Sequence, residues 1–361
     1  MRGEDLIARL GGDEFVVVLR DLDDEIQAEQ HAQRIVEQVQ PTLRLQQNEV
    51  SISASIGIAM FPVDGMHSSE LLKHADLAMY AAKSAGRQTV YFFNSSLRFA
   101  AEQHINLHHD MLMGIERGEF EVHYQPVVDA NTQQIYKCEA LLRWNHPKNG
   151  MISPAEFIPV AEKTGAIRSL GEFVQAQVCA DWKKLRAQGF SLSVSINRSP
   201  REFNQSNIAQ QWLDALQECG MPPDALIVEI TESMLMRSQE RQLYNLEQLR
   251  QAGVKVAIDD FGTGYSSLNY LRRYPVDFIK IDRSFLLDVP ANKQQNALLD
   301  ALIRIAATLD LEVIAEGVET QAQADLLKEM GCQYLQGFLF SRPIPFAELL
   351  ARLLADAQRD R

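Results

Sequence analysis

Acidic and amide side chains recur through the C-terminal two thirds of the chain, at the ends of short apolar runs rich in β-branched residues. Glu139 closes IYKCEA, Asn197 closes LSVSIN, and Asp259 and Asp260 close VKVAIDD. The set is completed by Glu229 in LIVEITE, Lys280 in DFIKID, Glu316 at the end of LEVIAE and Gln336 after YL. Carboxylate and amide oxygens are hard ligands for a divalent cation. If the runs are the strands of a barrel, the pattern indicates a metal site at their carboxyl ends.

Each of these residues also has a simpler explanation. A carboxylate at a strand end can cap the next helix, and for a single residue this is the default interpretation. Asp259 and Asp260 fit it less well, because adjacent acids repel each other unless a cation or a proton intervenes. Lys280 could be an ordinary solvated lysine, but it follows three residues typical of a buried strand. No histidine or cysteine falls at these positions, which favours Mg²⁺ or Mn²⁺ over zinc.

The order of the predicted elements indicates a barrel. The predicted strands are 121–127, 135–143, 191–197, 226–230, 254–259, 277–281, 312–316 and 334–337. The predicted helices are 154–189, 200–219, 237–252, 266–273, 293–309, 321–330 and 346–356. The link DANTQQ is too short for a parallel crossover, so the first two strands should be antiparallel. The alternation predicts a (β/α)8 TIM-like barrel whose first strand is antiparallel.

The first ninety-odd residues predict a different, smaller α/β unit. The segment ARLGGDEFVVVLR should form two strands around a Gly-Gly-Asp-Glu turn. Further predictions are a helix over 23–40, a strand over 50–60, a helix over 68–85 and a strand over 87–93. We therefore expect three parts: a small unit over 1–93, a connecting helix over 94–118 and a barrel over 119–361.

Composition narrows the class of protein. The 361 residues suit a barrel of about 240 residues plus a smaller unit. The net charge of −13 argues against binding duplex nucleic acid. The four cysteines form no CxxC pair, which favours a reducing, cytoplasmic location. The sequence holds no run of about 20 apolar residues, so we expect no membrane contact by this chain, although its parent protein could carry upstream sensor or membrane segments.

Several motifs carry a family resemblance. Gly11-Gly12-Asp13-Glu14-Phe15 resembles the signature of GGDEF diguanylate cyclases, and Glu139-Ala140-Leu141 resembles the signature of EAL cyclic-di-GMP phosphodiesterases. The EAL resemblance spans roughly 97–356 and rests on the ordered motifs YQPVVD, EALLRWNHP, EITES, DDFGTGYSSL, IKIDRSF, AEGVET and QGFLFSRP. It implies an EAL-type barrel preceded by the truncated C-terminal part of a GGDEF domain.

The resemblance implies a role for each site residue. Two divalent metals, Mg²⁺ or Mn²⁺, are expected in each active site. The implied ligands are Glu139, Asn197, Glu229 and Asp259 for one metal, and Asp259, Asp260 and Glu316 for the second. Lys280 would orient or activate the attacking water. The implied contacts to the cyclic dinucleotide are Gln125, Leu141, Arg143 and Gln336. Glu232 would brace the DDFGTGYSSL loop, which in this family links metal occupancy to a homodimer interface. The catalytic residues that the resemblance implies are Glu139, Lys280, Glu316 and Glu232.

These implications predict hydrolysis of cyclic-di-GMP to linear pGpG in bacterial second-messenger signalling. One alternative is a catalytically weak receptor that binds cyclic-di-GMP; the other is the phosphodiesterase half of a dual GGDEF–EAL protein. Because the chain starts only ten residues before Gly11, Asp13 and Glu14 lack their upstream metal partner, and we expect no cyclase activity. Arg2 and Asp5 fit the RxxD pattern of the cyclase family's inhibitory site.

The sequence departs from the usual family wording at two positions. Arg198 stands where a small apolar residue usually follows Asn197, and Phe338 stands where tyrosine is frequent. Either change could shift activity without abolishing it.

Overall fold

The computed structural model describes residues 5–22, 24–39, 43–45, 48–50, 52–84, 88–94, 107–237, 240–262 and 276–359. The chain divides into two compact units, Met1–Leu107 and His108–Arg361. Residues 107–116 are helical, and residues 95–106 of the expected connecting helix lie outside the described ranges. Arg2 of the RxxD-like pair and the predicted helix over 266–273 also lie outside them.

The first unit is built from short strands and two helices. Its strands are β1 (Leu6–Gly11), β2 (Glu14–Val18), β3 (Leu43–Leu45), β4 (Asn48–Val50), β5 (Ile56–Ile58) and β6 (Val90–Phe92). Its helices are Glu25–Val39 and Ser68–Ser84. The pairs β1–β2 and β3–β4 are antiparallel, whereas β5–β6 is parallel. The predicted hairpin is present, with Gly12 at a positive φ of 53° in its turn and Asp13 beside it.

One strand prediction in this unit is wrong. Instead of a single strand over 50–60, the segment ends one short hairpin at Val50 and starts a separate strand at Ile56. Gly57 explains where the second piece packs. A β-carbon at Gly57 would overlap the backbone of Ala75 and Met79, so the strand lies directly against the helix Ser68–Ser84.

The second unit is a closed barrel, which confirms the predicted fold. Its strands are β7 (Phe120–Asp129), β8 (Ile135–His146), β10 (Ser193–Asn197), β11 (Leu226–Thr231), β12 (Lys255–Phe261), β13 (Phe278–Ile281), β14 (Glu312–Ala315) and β15 (Tyr334–Leu335). The short strands β9 (Gly150–Ile152) and β16 (Ile344–Pro345), which the sequence did not predict, pair with β8 and β7. The strand β7 is antiparallel to both neighbours, β8 and β15, and the other barrel pairs are parallel.

The helices surround the barrel and correct three predictions. They are Pro154–Thr164, Ile167–Ala187, Ile208–Cys219, Glu232–Arg237, Glu240–Gln251, Lys293–Thr308, Gln321–Glu329 and Phe346–Arg359. The predicted helix 154–189 is two helices, because Gly165 adopts a left-handed φ of 87° that ends the first. The helix predicted from residue 200 begins at Ile208 instead, after a short 3-10 turn over Glu202–Asn204. Helical structure predicted from 237 already begins at Glu232. No helix among the described residues is both long and apolar enough to span a bilayer.

Side-chain alternation divides each barrel strand between two cores. Outward-facing residues such as Val228 and Ile258 belong to the large cluster between strands and helices. Inward-facing residues form a smaller cluster inside the barrel: Val127, Ile227, Ala257, Phe278, Ile314 and Tyr334. Because side chains on one face of a strand recur every second residue, the residue two positions on from an interior residue also faces inward. Alternation therefore aims Glu229, Asp259, Lys280, Glu316 and Gln336 into the mouth of the barrel. It does not do so for Asp260, which directly follows Asp259.

Lys137 lies inside the barrel at the level of this apolar cluster. It is completely buried, and its Nζ has no hydrogen-bond partner. The ammonium lies 3.5 Å from the centre of the Phe278 ring. Burial lowers the pKa of Lys137 to about 7. A cation–π contact replaces only part of the hydration that the ammonium loses, so the charge should destabilise the fold.

We therefore expect Lys137→Met to raise the free energy of unfolding by about 1–4 kcal/mol at pH 7. Unfolding takes up a proton between about pH 7 and the ordinary pKa of 10.5, so the parent gains stability as the pH rises through that window. The gap between variant and parent should therefore shrink toward pH 10. Urea denaturation at several pH values measures it, with the exposed Lys183→Met as control. A variant less stable than the parent at pH 7 would contradict this account.

Candidate active site

The predicted polar residues meet around one lysine at the carboxyl ends of the strands. Lys280 is 1% exposed, and four carboxylates surround its Nζ. The Nζ–oxygen distances are 2.6 Å to Glu229, 2.7 Å to Glu316, 3.1 Å to Asp259 and 3.4 Å to Glu139. One positive charge thus faces up to four negative ones. The site carries an excess of acidic groups that a further cation could neutralise.

Amide side chains hold the carboxylate of Glu139 from two sides. Asn197 Nδ2 donates to Glu139 Oε1 at 2.6 Å, and Gln336 Nε2 donates to Glu139 Oε2, also at 2.6 Å. Gln336 Nε2 also lies 3.2 Å from Gln125 Oε1, and Gln125 Nε2 donates to the Ser341 carbonyl at 3.1 Å. Residues from β7, β8, β10 and the segment after β15 are therefore joined in one network.

The pKa values of the buried groups at the site are shifted in different directions. Burial alone would lower the pKa of Lys280, but the surrounding carboxylates, Asp259 foremost, raise it well above its usual range. Burial would raise the pKa of Glu139, but Lys280 and the donors Gln336 and Asn197 hold it below its usual range. In Glu229, burial and the nearby Glu139 charge raise the pKa well above its usual range. Glu229 is thus held toward its protonated form, and a cation bound there would displace the proton.

The pKa values of two further carboxyls, those of Glu316 and Asp260, are also shifted. Burial raises the pKa of Glu316 to about 7, against the opposing effect of Lys280. Burial and the neighbouring Asp259 raise the pKa of Asp260. Both shifts come from acids held together in a partly desolvated place, a pattern that accompanies functional sites.

A local backbone irregularity brings the paired aspartates together. In an ideal strand, Asp259 and Asp260 would point to opposite faces. Here the register of β12 against β13 shifts between Ile258 and Phe261, and Asp260 has a positive φ of 54°. Oxygen atoms of Asp259, Asp260 and Glu316 consequently lie within 4.8 Å of one another. A strained non-glycine residue at this position is evidence of a functional constraint.

The donor set fits a hard divalent cation. The acidic trio offers carboxylate oxygens, and Glu139, Glu229 and Asn197 lie across the same mouth. Asp259 Oδ1 is buried without a hydrogen bond, even though Lys280 Nζ lies 3.1 Å away in a geometry unsuited to one. Such an oxygen accepts no hydrogen bond and keeps lone pairs that a bound cation would use. Gln336 Oε1 is a second buried acceptor without a hydrogen bond.

The predicted substrate contacts and the bracing residue lie at the edge of this mouth. Leu141 and Arg143 share the inward face of β8 with Glu139 and are half-buried. Arg143 Nη1 donates to the Leu142 carbonyl at 2.9 Å. Glu232 Oε2 accepts a hydrogen bond from the Gly262 backbone N–H at 3.2 Å, the start of the glycine-rich loop. Residues 263–275 lie outside the described ranges, so the remainder of that predicted loop is not described.

Sequence reasoning missed three contributors to the site. Lys137 lies one layer below Glu139 on the same face of β8, which the two-residue spacing could have revealed. The Ser341 carbonyl, which holds Gln125, left no signal in the residue types because it is backbone. Arg198 is unusual in the sequence, but the residue type alone does not reveal its buried contacts with Gly171 and Gln175, which come from the preceding helix.

Comparison with known proteins assigns the family. Residues 108–343 match the family described as EAL domain, and residues 1–89 match the family described as diguanylate cyclase, GGDEF domain. The first match covers more than half of the chain. The chain belongs to the EAL domain family. The predicted resemblance to both families is confirmed.

Relatives of known name resemble the chain along most of its length. It is 42% identical over 352 residues to the bifunctional diguanylate cyclase/cyclic di-GMP phosphodiesterase MucR of Pseudomonas aeruginosa, covering 97% of this chain and 51% of that protein. It is 36% identical to the cyclic di-GMP phosphodiesterase PdeR of Escherichia coli, covering 95% of this chain and 51% of that protein. The chain therefore spans about half the length of these relatives.

A solved EAL structure resembles the barrel. The structure described as PaMucR phosphodiesterase in complex with c-di-GMP has a TM-score of 0.65 and 41% identity. The match covers 68% of this chain and 99% of that one. Membership of the EAL family, which is metal-dependent in general, agrees with the acidic cluster at the barrel mouth.

In the absence of metal, we expect Glu316→Gln to stabilise the protein at pH 8, by about 1–3 kcal/mol. The raised pKa of Glu316 means that the parent loses stability as the pH rises from about 4.5 through about 7. The amide carries no charge, and three carboxylates remain around Lys280. The difference should vanish near pH 4.5. Thermal melting in EDTA measures it, with Glu319→Gln, on the exposed segment nearby, as control. A less stable variant at pH 8 would mean that the Lys280 ion pair outweighs the cost of burial.

Proposed function

We propose that the barrel hydrolyses cyclic-di-GMP to linear pGpG in bacterial second-messenger signalling. The observation that carries the proposal is the acidic trio, with the buried Asp259 Oδ1 that accepts no hydrogen bond, beside Lys280 at the mouth of an EAL barrel. A phosphodiester is anionic, so an acidic mouth can bind it only when cations first neutralise the carboxylates. The names of the similar phosphodiesterases, and the related structure described as a c-di-GMP complex, support this substrate.

The proposed cofactor is a pair of Mg²⁺ or Mn²⁺ ions. Glu139, Asn197, Glu229 and Asp259 would hold one, and Asp259, Asp260 and Glu316 would hold the other. Such ions, when bound, lower the pKa of a coordinated water and offset charge on the phosphoryl oxygens. The proximity of the trio supports the second set, and the convergence of Glu139, Glu229 and Asp259 on Lys280 supports the first. The all-oxygen donor set favours these ions over zinc.

Lys280 is proposed as the catalytic residue that orients the attacking water. Its raised pKa keeps the ammonium protonated near neutral pH, so it can donate hydrogen bonds but cannot accept the proton of the water. Its complete burial fixes the direction of those donors. The charge states therefore favour an orienting role over a general-base role.

The proposed contacts to the dinucleotide are Gln125, Leu141, Arg143 and Gln336. A guanidinium carries five N–H donors, and the Leu142 carbonyl accepts from one nitrogen of Arg143. The half-buried guanidinium can therefore also grip a phosphate through charge-assisted hydrogen bonds. Leu141 offers an apolar surface next to it, and the buried Gln336 offers an acceptor, Oε1, that lacks a partner.

Glu232 is proposed to link the metal site to self-association. Its hydrogen bond to the Gly262 N–H holds the backbone two residues after Asp260. A change in the loop that begins there would therefore alter the aim of both aspartates. We propose that a homodimer pairing near this loop favours the arrangement that binds metal. We also propose a cytoplasmic location, which the four free cysteines support.

The first functional prediction concerns the proposed ligands. Glu139→Ala and Asp259→Asn should keep the fold but reduce hydrolysis by several orders of magnitude, because each removes an oxygen that holds a charge-neutralising cation. Chromatography of cyclic-di-GMP and pGpG with Mg²⁺, Mn²⁺ or EDTA measures turnover, and circular dichroism monitors the fold. Glu218→Ala, which removes an exposed carboxylate on the helix Ile208–Cys219, is the control. Near-parental turnover by either folded ligand variant would contradict the assignment.

The second functional prediction separates the roles of two positively charged side chains, Lys280 and Arg143. Lys280→Met should lower kcat far more than it raises KM, because its proposed partner is the water. Arg143→Met should mainly raise KM, by roughly tenfold or more, because it removes a charge-assisted contact to a phosphate. Steady-state kinetics at saturating Mn²⁺ separates the two. Equal rises in KM for both variants would show that the roles are assigned wrongly.

A further inference from the structure

Arg198 is a buried arginine at the rim of the proposed metal site. It directly follows Asn197 at the end of β10, and its side chain is completely buried. Because neighbouring residues point to opposite sides of a strand, Asn197 faces the barrel mouth while Arg198 faces the surrounding helices. An arginine is rarely this buried unless it is paired.

The guanidinium of Arg198 joins three separate segments. Nη1 donates to the Gly171 carbonyl at 3.1 Å, and Nη2 donates to Gln175 Oε1 at 2.7 Å, both on the helix Ile167–Ala187. Nη1 also lies 3.0 Å from Glu202 Oε1 in the 3-10 turn. The guanidinium carbon Cζ lies over the Trp212 ring, 4.0 Å from its centre, on the helix Ile208–Cys219.

The partners of Arg198 are themselves fixed. Gln175 Nε2 donates to the Trp212 carbonyl at 3.1 Å. Glu202 Oε2 accepts from the Ser199 N–H at 2.9 Å, and Ser199 Oγ donates to Glu162 Oε1 at 2.7 Å. The backbone immediately after Asn197 is therefore anchored to three helices by buried polar contacts, which are geometrically demanding and costly to break.

Gly171 shows how closely the surroundings fit this network. A β-carbon on Gly171 would overlap Glu202 Oε1 and would lie 2.8 Å from Arg198 Nη1. Alanine normally stabilises the interior of a helix relative to glycine. Here the glycine leaves the space that the guanidinium and its carboxylate partner occupy.

The orientation of the Asn197 side chain depends on the buried contacts of Arg198 more than the orientations of Glu139 and Glu229 do. Glu139 and Glu229 are buried among other side chains, whereas Asn197 is exposed at the rim. Its amide nitrogen donates to Glu139, which leaves the amide oxygen as the atom that could bind a cation. The direction of that oxygen is thus set by the backbone at 197–198 together with the hydrogen bond from the amide nitrogen to Glu139.

We propose that Arg198 is a positioning residue that aims the amide oxygen of Asn197 at the metal. The proposal rests on the proposed function, in which Asn197 is a ligand. Groups that orient a metal ligand without touching the metal typically change metal affinity by about 10- to 100-fold when removed. Arg198 acts through Asn197, so its effect requires the asparagine side chain.

The test is Mn²⁺ binding by electron paramagnetic resonance, which needs no turnover. Arg198→Met should raise the Mn²⁺ dissociation constant of the weakened site about tenfold or more. In an Asn197→Ala background, the same substitution should have almost no further effect, because the residue through which it acts is gone. Arg304→Met removes an exposed helical arginine and should leave binding unchanged. Arg198→Lys should recover only part of the affinity, since an ammonium lacks the planar fork.

Gly171→Ala disturbs the network without removing a charge, and it should weaken Mn²⁺ binding in the same direction. Circular dichroism and melting establish that each variant is folded before binding is measured. An Arg198→Met variant that binds Mn²⁺ like the parent, or that weakens binding equally with and without the Asn197 side chain, would overturn the proposal. Either result would leave the proposed function intact. Asn197→Ala without effect on Mn²⁺ binding would refute the proposed ligand set itself, and a parent that binds Mn²⁺ but does not cleave cyclic-di-GMP would refute the proposed reaction.

Discussion

The ammonium of Lys280, enclosed by four carboxylates, is the interaction on which the organisation of the barrel mouth depends. Four acids could not be held this close without a cation, and one ammonium offsets only one of their charges. The pKa of Lys280 is raised, whereas Glu229 and Glu316 are driven toward their neutral forms. The folded chain thus holds its acidic residues in an arrangement that divalent cations would relieve. The site is costly to the metal-free fold and prepared for ligands.

The regular strands of the barrel position most of these groups, and an irregular stretch of backbone positions the remaining one. An apolar layer fixes the inner face of each strand, so the residue two positions further along must face the mouth. This rule places Lys280 above Phe278 and Glu229 above Ile227. It cannot place Asp260, which reaches its neighbours only through the register shift and the left-handed backbone of β12. Precision at the site therefore combines a rigid periodic scaffold with one strained residue.

The sequence predicted the strands and the converging residues because both depend on short-range patterns. The β-branched runs marked the strands, and the DANTQQ turn correctly predicted the antiparallel β7–β8 pair. The boundaries that failed depend on particular tertiary contacts. Gly165 divides a helix that periodicity alone joins, and the segment around Glu202 is kept from the following helix by its bonds to Arg198 and Ser199. No local pattern encodes which helix an arginine will meet.

The pairing that closes the barrel has a consequence for the order of assembly. Closure of the barrel requires the two-residue strand β15 to pair with β7, which lies some two hundred residues earlier in the chain. The hydrogen bond from Gln336 to Glu139 spans 197 residues of sequence. Contacts so distant along the chain form late and slow the search for the native topology. During synthesis, Glu139 and Asn197 therefore emerge long before the residues that complete their surroundings, and the acidic mouth can close only when almost the whole barrel has left the ribosome.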